Sequence, residues 1–157
     1  MFGLQKKKKC DIYSPVKGRK IDIYEVPDPV FSKKMMGEGV GLIFNDDILY
    51  SPVDGIVQLV AQTKHAIGFI ACNDAEILLH IGLDTVSLAG EGFEVLVCEG
   101  DKVKHGTPII KIDRALMETN NIDLTTPLVI TNNDYSVTME NHSEVTTDSI
   151  IMTCHKK

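Results

Sequence analysis

Residues 76–84, which read Glu-Ile-Leu-Leu-His-Ile-Gly-Leu-Asp, decide the fold. Side chains of an extended strand alternate between its two faces. One face of this stretch carries an unbroken apolar row, which marks the core side. Its members are Ile77, Leu79, Ile81 and Leu83. The other face carries His80, with the small Gly82 and the carboxylate of Asp84 beside it. His80 is therefore predicted to point away from the main core, because a core histidine would have stood on the opposite parity.

The preceding segment, residues 63–69, contains a second histidine, His65. If the segment is extended, one face carries four of its side chains. These are Thr63, His65, Ile67 and Phe69. A hairpin turn at Asn73-Asp74 would place His65 opposite a residue close to His80. Parity and spacing thus predict two imidazoles on one surface, although on this argument alone they could equally be two unrelated surface histidines.

The rest of the chain is punctuated like an all-β protein, since Gly and Pro recur between short apolar or alternating runs. Helical periodicity is confined to short turns within residues 30–36 and 113–121. The pattern predicts nine strands. They span residues 20–26, 39–44, 48–50, 55–61, 66–72, 75–81, 92–97, 108–112 and 128–132.

An internal sequence repeat supports the prediction of an all-β fold. Ser-Pro-Val-Lys-Gly at residues 14–18 recurs as Ser-Pro-Val-Asp-Gly at residues 51–55, with a fainter copy at residues 126–130. Each copy places Pro at the start of a strand and Gly in a turn, as those residues require. The repeat favours a duplicated β-motif folded into one antiparallel β-sandwich with only short helical turns.

A length of 157 residues is enough for one domain. The first 20 residues hold seven basic side chains against one acidic, whereas the remainder holds nine against 21. We therefore expect a flexible basic tail over residues 1–10 and a single domain over residues 11–157. The acidic body argues against nucleic-acid binding and favours a basic protein partner.

The chain has no run of about 20 apolar residues that could span a bilayer. Its start places apolar residues before the basic run, the reverse of a secretory signal, which predicts a cytoplasmic protein. The four cysteines are scattered and form no C-x-x-C pair, so reduced thiols are expected.

The residues from 63 to 93 resemble a known family. T-K-H-A followed by E-I-L-L-H-I-G-L-D-T-V-S-L-A-G-E-G-F is similar to the glucose-type IIA domain of the bacterial phosphoenolpyruvate-dependent sugar phosphotransferase system. The resemblance extends over nearly the whole chain. It includes both S-P-V-x-G copies, V-P-D-P-V-F at residues 26–31, M-G-E-G at 36–39 and E-G-D-K-V at 99–103.

This resemblance implies a phosphotransferase component and a role for each matching residue. His80 matches the histidine that receives the phosphoryl group from phospho-HPr and passes it to a cysteine of a IIB domain. His65 matches the residue that hydrogen-bonds to the phosphoryl group, and Thr63 the hydroxyl that orients the pair. Asp28 and Asp84 match acidic residues that meet the basic surface of HPr. The implied apolar docking rim consists of Val30, Phe31, Met35, Met36, Ile67 and Leu78.

The chemistry suits these residue types. Neutral imidazole is a nucleophile near pH 7, and phosphoryl transfer depends mainly on positioning and charge stabilisation. No metal or other cofactor is expected to be required, although His65 and His80 could hold an incidental zinc ion together with a partner's carboxylate. Partners beyond the phosphorelay could include regulatory targets. Membrane contact would be peripheral, through the permease or through anionic lipid at the basic tail.

Three alternatives stay open at this point. A regulatory binding module could be read out by its phosphorylation state without passing phosphate on. A biotinyl or lipoyl carrier is suggested by E-G-D-K-V-K-H-G at residues 99–106, but the M-K-M type of hairpin tip is missing. A lysostaphin-like zinc peptidase would need an H-x-H pair, and His80 is followed by Ile81 and Gly82. The sugar and the permease are not determined.

Overall fold

The computed structural model describes residues 8–157, which contain fourteen strands, two short α-helices and two 3-10 turns. The all-β prediction is confirmed. The helices are α1 (Pro29–Ser32) and α2 (Arg114–Thr119), and the 3-10 turns span Ile23–Glu25 and Thr85–Leu88. The strands are β1 (Lys9–Tyr13), β2 (Gly18–Asp22), β3 (Glu38–Phe44), β4 (Ile48–Tyr50), β5 (Gly55–Val60), β6 (Ala66–Ala71), β7 (Glu76–His80), β8 (Phe93–Val95), β9 (Lys102–Val103), β10 (Pro108–Ile112), β11 (Thr126–Ile130), β12 (Tyr135–Met139), β13 (Glu144–Val145) and β14 (Ile150–Lys156).

The strands form one large antiparallel sheet and two small ones. The large sheet has the order β13-β2-β3-β11-β7-β6-β5-β9, and the small sheets have the orders β1-β14-β12 and β4-β10-β8. Buried side chains from all three sheets, among them Ile12, Leu79 and Ile110, meet in the main core. The large sheet therefore lies across the two small ones, as in a sandwich, and its inner face supplies one side of that core.

The two S-P-V-x-G copies adopt the same local structure. The hydroxyl of Ser14 donates to the carbonyl of Val16, and the hydroxyl of Ser51 donates to the carbonyl of Val53. The backbones on either side of the two copies also bond reciprocally, with Tyr13 N–H donating to Pro52 and Tyr50 N–H donating to Pro15. This exchange is what a duplicated motif folded against itself produces. It supports the interpretation of the repeat as one duplicated β-motif.

The outer face of the large sheet is covered by the segment that follows β2. Its apolar side chains form a second, smaller group, which we term the outer cluster. The buried members are Ile23, Val26, Phe31, Leu83 and Val129, and Ile21, Met36 and Leu78 pack against them. The alternation is visible in the pairing of β7 with β11, since Leu79 opposite Leu128 faces the main core and Leu78 opposite Val129 faces the outer cluster.

Several predicted element boundaries require correction. The strands predicted over residues 92–97 and 128–132 span Phe93–Val95 and Thr126–Ile130. The strand predicted over residues 20–26 ends at Asp22, because the chain turns through Ile23–Glu25 to cover the sheet. The predicted tail over residues 1–10 extends too far, since Lys9 and Cys10 already belong to β1. The remainder of that tail, residues 1–7, lies outside the described residues. None of the helices in residues 8–157 is long and apolar enough to cross a bilayer.

Candidate active site

The site lies at one end of the hairpin formed by β6 and β7. The two strands pair from Ile70 opposite Glu76 to Ala66 opposite His80, and they are joined at Asn73-Asp74 as the sequence predicted. At the open end, the N–H of Ile81 donates to the carbonyl of His65 at 2.7 Å. This register places Ala66 opposite His80, and His65 beside Ile81, so the two histidines are diagonal neighbours across the hairpin.

The two histidine rings meet. Their centroids are 5.0 Å apart, with an interplanar angle of 75°, so the edge of one ring faces the other. His80 leaves β7 on the face of Leu78, opposite the face of Ile77 and Leu79, as its parity predicted. The sequence-based pairing of His65 with His80 is therefore present in the geometry.

The parity argument for His65 itself was wrong, although its conclusion holds. Ile67 and Phe69 are completely buried in the main core, so they do not share a face with the side chains at the site. The strand begins only at Ala66, and Lys64 has a φ of +62°, in the left-handed region. This turn breaks the alternation and frees the His65 side chain to lie beside His80.

The loop after β7 fixes the orientation of the His80 ring. Nδ1 of His80 lies 2.7 Å from the carbonyl oxygen of Gly82. A carbonyl can only accept, so Nδ1 carries the proton in the neutral ring and the lone pair lies on Nε2. Gly82 has a φ of +73°, and a Cβ there would lie 2.7 Å from Cγ2 of Thr85. The position therefore demands glycine.

Further hydrogen bonds hold this loop in place. The hydroxyl of Thr85 donates to the carbonyl of Ile81 at 2.7 Å, and the N–H of Gly82 donates to the hydroxyl of Thr126 at 3.3 Å. Thr85 and Thr126 are fully buried. Neither threonine was predicted as a site residue from the sequence. Thr85 could have been identified by its position directly after the L-L-H-I-G-L-D stretch.

His65 is oriented by its neighbour in the turn. Nδ1 of His65 and the hydroxyl of Thr63 are 2.5 Å apart. If the hydroxyl donates, Nε2 of His65 carries the proton and becomes a donor toward the site. Burial lowers the pKa of His65 from its ordinary value, and the charge of His80 lowers it further.

The pKa of His80 is also lowered, mainly because burial disfavours the imidazolium form. The Gly82 carbonyl and the carboxylates of Asp28 and Asp84 act in the opposite direction. A lowered pKa keeps the ring neutral, and thus nucleophilic, over a wider range of pH.

Both predicted acidic residues stand at the ends of short elements that border the site. Asp28 caps α1, and its carboxylate accepts the N–H of Val30 at 2.9 Å. Asp84 is exposed, has a φ of +56° and precedes the 3-10 turn Thr85–Leu88. Both carboxylates raise the pKa of His80, so they lie within electrostatic range of that imidazole.

Five of the six apolar residues assigned to a docking rim divide into three groups. Val30 and Met35 are 42% and 71% exposed and remain candidates for contact with a partner. Met36 and Leu78 are half-buried against the outer cluster. Phe31 is buried in that cluster, with its ring 5.0 Å from the His80 ring, so it forms a wall of the site.

Ile67 does not belong to the rim. It is completely buried in the main core, opposite Leu79, and cannot contact a partner. The sequence analysis instead missed Val86, which is 57% exposed on the 3-10 turn that follows Asp84. The sequence feature that could have identified Val86 is its position as an apolar residue two places after Asp84, at the edge of the site.

The site is an open surface. A groove of about 730 Å³ is lined by residues 45–47, 92–94 and 111–114, and neither imidazole contributes to it. Within residues 8–157, no three His, Cys, Asp or Glu side chains converge as a metal site requires. A neutral, oriented imidazole on an accessible surface is suited to accept a small group from another macromolecule.

Comparison with known proteins decides the family. The family model for the phosphoenolpyruvate-dependent sugar phosphotransferase system, EIIA 1, matches residues 10–136. This chain belongs to that family. It is a phosphotransferase component of the system and works in phosphoryl transfer during sugar uptake.

Relatives of this EIIA chain cover most of its length. A glucose-specific EIIA component from Staphylococcus epidermidis is 46% identical over 136 residues, which cover 85% of this chain and 82% of the relative. The glucose-specific EIIA component from Staphylococcus aureus is 44% identical over 146 residues, covering 92% and 88%. The glucose permease IIA from Mycoplasma capricolum superposes with a TM-score of 0.85 at 30% identity, covering 98% of this chain and 99% of that one.

Proposed function

We propose that His80 carries the phosphoryl group and that the group is attached at Nε2. The observation that carries this proposal is the hydrogen bond from Nδ1 of His80 to the Gly82 carbonyl, because it leaves the lone pair on Nε2. In the transfer, Nε2 forms the new N–P bond while the N–P bond of phospho-HPr breaks. In the next step a cysteine thiolate of IIB attacks the phosphorus, so that an S–P bond forms while the N–P bond to His80 breaks.

In this proposal His65 stabilises the phosphoryl group. With Thr63 donating to Nδ1, the Nε2–H of His65 donates to a phosphoryl oxygen beside His80. Phosphoryl transfer depends on such positioned donors because negative charge is spread over the equatorial oxygens. Neither imidazole needs a metal ion for these roles.

Asp28 and Asp84 act on the partner. Carboxylates repel a phosphate group, so their contribution is to attract and seat the basic surface of HPr around His80. Val30 and Val86 each stand two residues after one of these aspartates, and together with Met35 they supply exposed apolar contact area. Since the relatives are named glucose-specific, a glucose IIB domain is the first acceptor to test. We also propose that the chain acts in the cytoplasm.

A reconstituted phosphorelay tests the proposal. With phosphoenolpyruvate, enzyme I and HPr, the chain should take up one acid-labile, base-stable phosphoryl group, and His80→Ala should take up none. His65→Gln should accept the group but transfer it poorly to IIB. His142→Ala, which removes an exposed histidine, is the matched control and should behave like the unmodified chain. Label that persists in His80→Ala overturns the assignment.

A further inference from the structure

Three of the four cysteines converge at the end of the β6–β7 hairpin opposite the histidines. Cys10 on β1 and Cys154 on β14 are direct partners in the strand pairing. Cys72 follows the last residue of β6, and its Sγ lies 2.8 Å from Sγ of Cys10. Cysteines that are scattered in the sequence are thus brought together by the way β1 packs against the hairpin tip.

The backbone beside Cys72 is already anchored to both neighbouring strands. The side-chain amide of Asn73 donates to the carbonyl of Cys154 at 3.0 Å and to that of Lys8 at 3.3 Å. The hydroxyl of Tyr135 donates to the carbonyl of Asn73 at 2.5 Å. The two sulfurs have to close only from 2.8 Å to the roughly 2.05 Å of a disulfide, next to a backbone that these bonds already hold in place.

The two thiols differ in access to solvent. Cys10 is buried, and burial, together with its bond to Cys72, raises the pKa of its thiol to about 12. Cys72 is half-buried, so a small oxidant reaches it first. Because Cys10 is covered, the sulfur that can reach it is that of Cys72, 2.8 Å away, which is the position of a resolving cysteine.

We propose that Cys72 and Cys10 are a modification site for hydrogen peroxide and form a reversible intramolecular disulfide. The Cys72 thiolate attacks one peroxide oxygen, so an S–O bond forms, the O–O bond breaks and hydroxide leaves. The sulfur of Cys10 then attacks the sulfur of Cys72. The S–S bond forms as the S–O bond breaks, and the Cys10 proton leaves with the hydroxyl group as water.

The disulfide would fix β1 to the hairpin across a separation of 62 residues. Closing a loop of that length lowers the entropy of the unfolded chain enough to raise Tm by about 10 °C in a domain of this size. The histidines lie at the other end of the hairpin, about 20 Å away along six residues of β6. Phosphoryl acceptance should therefore change less than about twofold, and the inference is independent of the proposed function.

Peptide mapping of the full chain tests the inference. Cys98→Ser is the background, because Cys98 is exposed and would otherwise form links between molecules. After reduction and treatment with equimolar hydrogen peroxide, we expect a Cys10–Cys72 linked peptide, a mass lower by two hydrogens and a Tm higher by about 10 °C. Dithiothreitol should reverse all three changes.

Two further variants assign the partners. Cys72→Ser removes a half-exposed thiol, so it should retain the fold and lose the linked peptide. Cys154→Ala removes the other neighbouring thiol and should retain the link. A link between Cys72 and Cys154, loss of the link in Cys154→Ala, or conversion of Cys72 to sulfinic acid while Cys10 stays free would each overturn the proposal.

Discussion

Nδ1 of His80 donates a hydrogen bond of 2.7 Å to the carbonyl of Gly82, two residues further along the chain. The bond exists because the chain leaves β7 at His80 and turns through a left-handed glycine, which points its carbonyl back at the ring. It selects one tautomer before any partner binds. An acceptor that bonds one ring nitrogen of a histidine in this way also determines that the other nitrogen reacts.

The first prediction concerns the position of the phosphoryl group. Phosphorylated chain labelled with ¹⁵N should show the imidazole shifts of an Nε2-linked phosphohistidine at His80, because Nδ1 is occupied by the Gly82 carbonyl. The measurement is a two-dimensional ¹H–¹⁵N correlation of the imidazole side chains. Shifts of an Nδ1-linked phosphohistidine would contradict it.

Gly82→Ala should destabilise the protein and misplace His80. A Cβ there would lie 2.7 Å from Cγ2 of Thr85 and 3.1 Å from the carbonyl oxygen of Asp123, in addition to the strain of a positive φ. We expect a loss of about 2–4 kcal/mol in the free energy of unfolding and a fall of at least tenfold in the rate of phosphoryl acceptance.

Gly106→Ala is the matched control for that variant. Gly106 also has a positive φ, +83°, but its Cβ would meet nothing within 4 Å. Gly106→Ala should lower the free energy of unfolding by only about 1 kcal/mol, through backbone strain, and leave phosphoryl acceptance intact. Urea unfolding measures the first effect. Equal losses in the two variants would show that strain alone, rather than the crowding beside His80, sets the effect.

The pKa shifts predict how acceptance depends on pH. Because burial lowers the pKa of His80, the nucleophilic neutral ring should persist below pH 6.5, and the rate should fall only as pH drops through the lowered value. Between pH 6.5 and the lowered pKa of His80, the unfolded chain binds more protons than the folded chain. The free energy of unfolding should therefore decrease as the pH drops through this range. NMR titration of the imidazole C–H protons, with thermal unfolding across that range, checks both statements.

Asp84→Asn should lower the pKa of His80 further, since that carboxylate raises it in the folded protein. The same variant should slow association with phospho-HPr, and raising the salt concentration should reduce the difference from the unmodified chain. Asp148→Asn removes an exposed carboxylate ahead of β14 and is the matched control. A His80 pKa unchanged by Asp84→Asn in NMR titration would contradict the expected coupling.

Val86 provides a test of the docking surface that does not involve the imidazoles. Its side chain is 57% exposed beside Asp84, so Val86→Asp should spare the fold and raise the KM for phospho-HPr by about tenfold. Leu96→Asp, at a position 45% exposed outside the site, is the control. Steady-state phosphorelay kinetics separate the two variants, and a similar KM in both would remove Val86 from the interface.

Period-two alternation accounts for what the sequence could predict about the fold. It identified the outward face of His80 and located β4 to the residue, because β4 and β7 alternate cleanly in burial. It also located β10 to the residue, although that strand has two consecutive buried residues, Ile109 and Ile110. It did not locate β1, β9, β12, β13 and β14. β9 and β13 have only two residues each, and the four consecutive buried residues of β14 hide any alternation there.

The site was predictable where it depends on residue type and less so where it depends on turns. The His pair and both carboxylates followed from spacing and resemblance. The assignment of Ile67 to the rim came from the resemblance alone, and its complete burial contradicts that assignment. The turns at Lys64 and Asp84 have positive φ, and the first of them breaks the alternation assumed for residues 63–69. A lysine or aspartate in the left-handed region carries little sequence signal, since glycine and asparagine are the residues expected there.

The last prediction uses the repeat as its own internal control. Ser14 and Ser51 are fully buried, and each hydroxyl donates to a carbonyl two residues on, at 2.6 and 2.8 Å, while accepting the N–H of the same residue. Replacing either serine by alanine leaves both backbone groups without that partner, so each variant should lose about 1–3 kcal/mol in the free energy of unfolding. Ser136→Ala, on the exposed side of β12, should change it by less than about 0.5 kcal/mol. Urea unfolding of the three variants makes the comparison. If Ser14→Ala and Ser51→Ala differ from each other as much as either differs from Ser136→Ala, the two copies do not share the same energetic role.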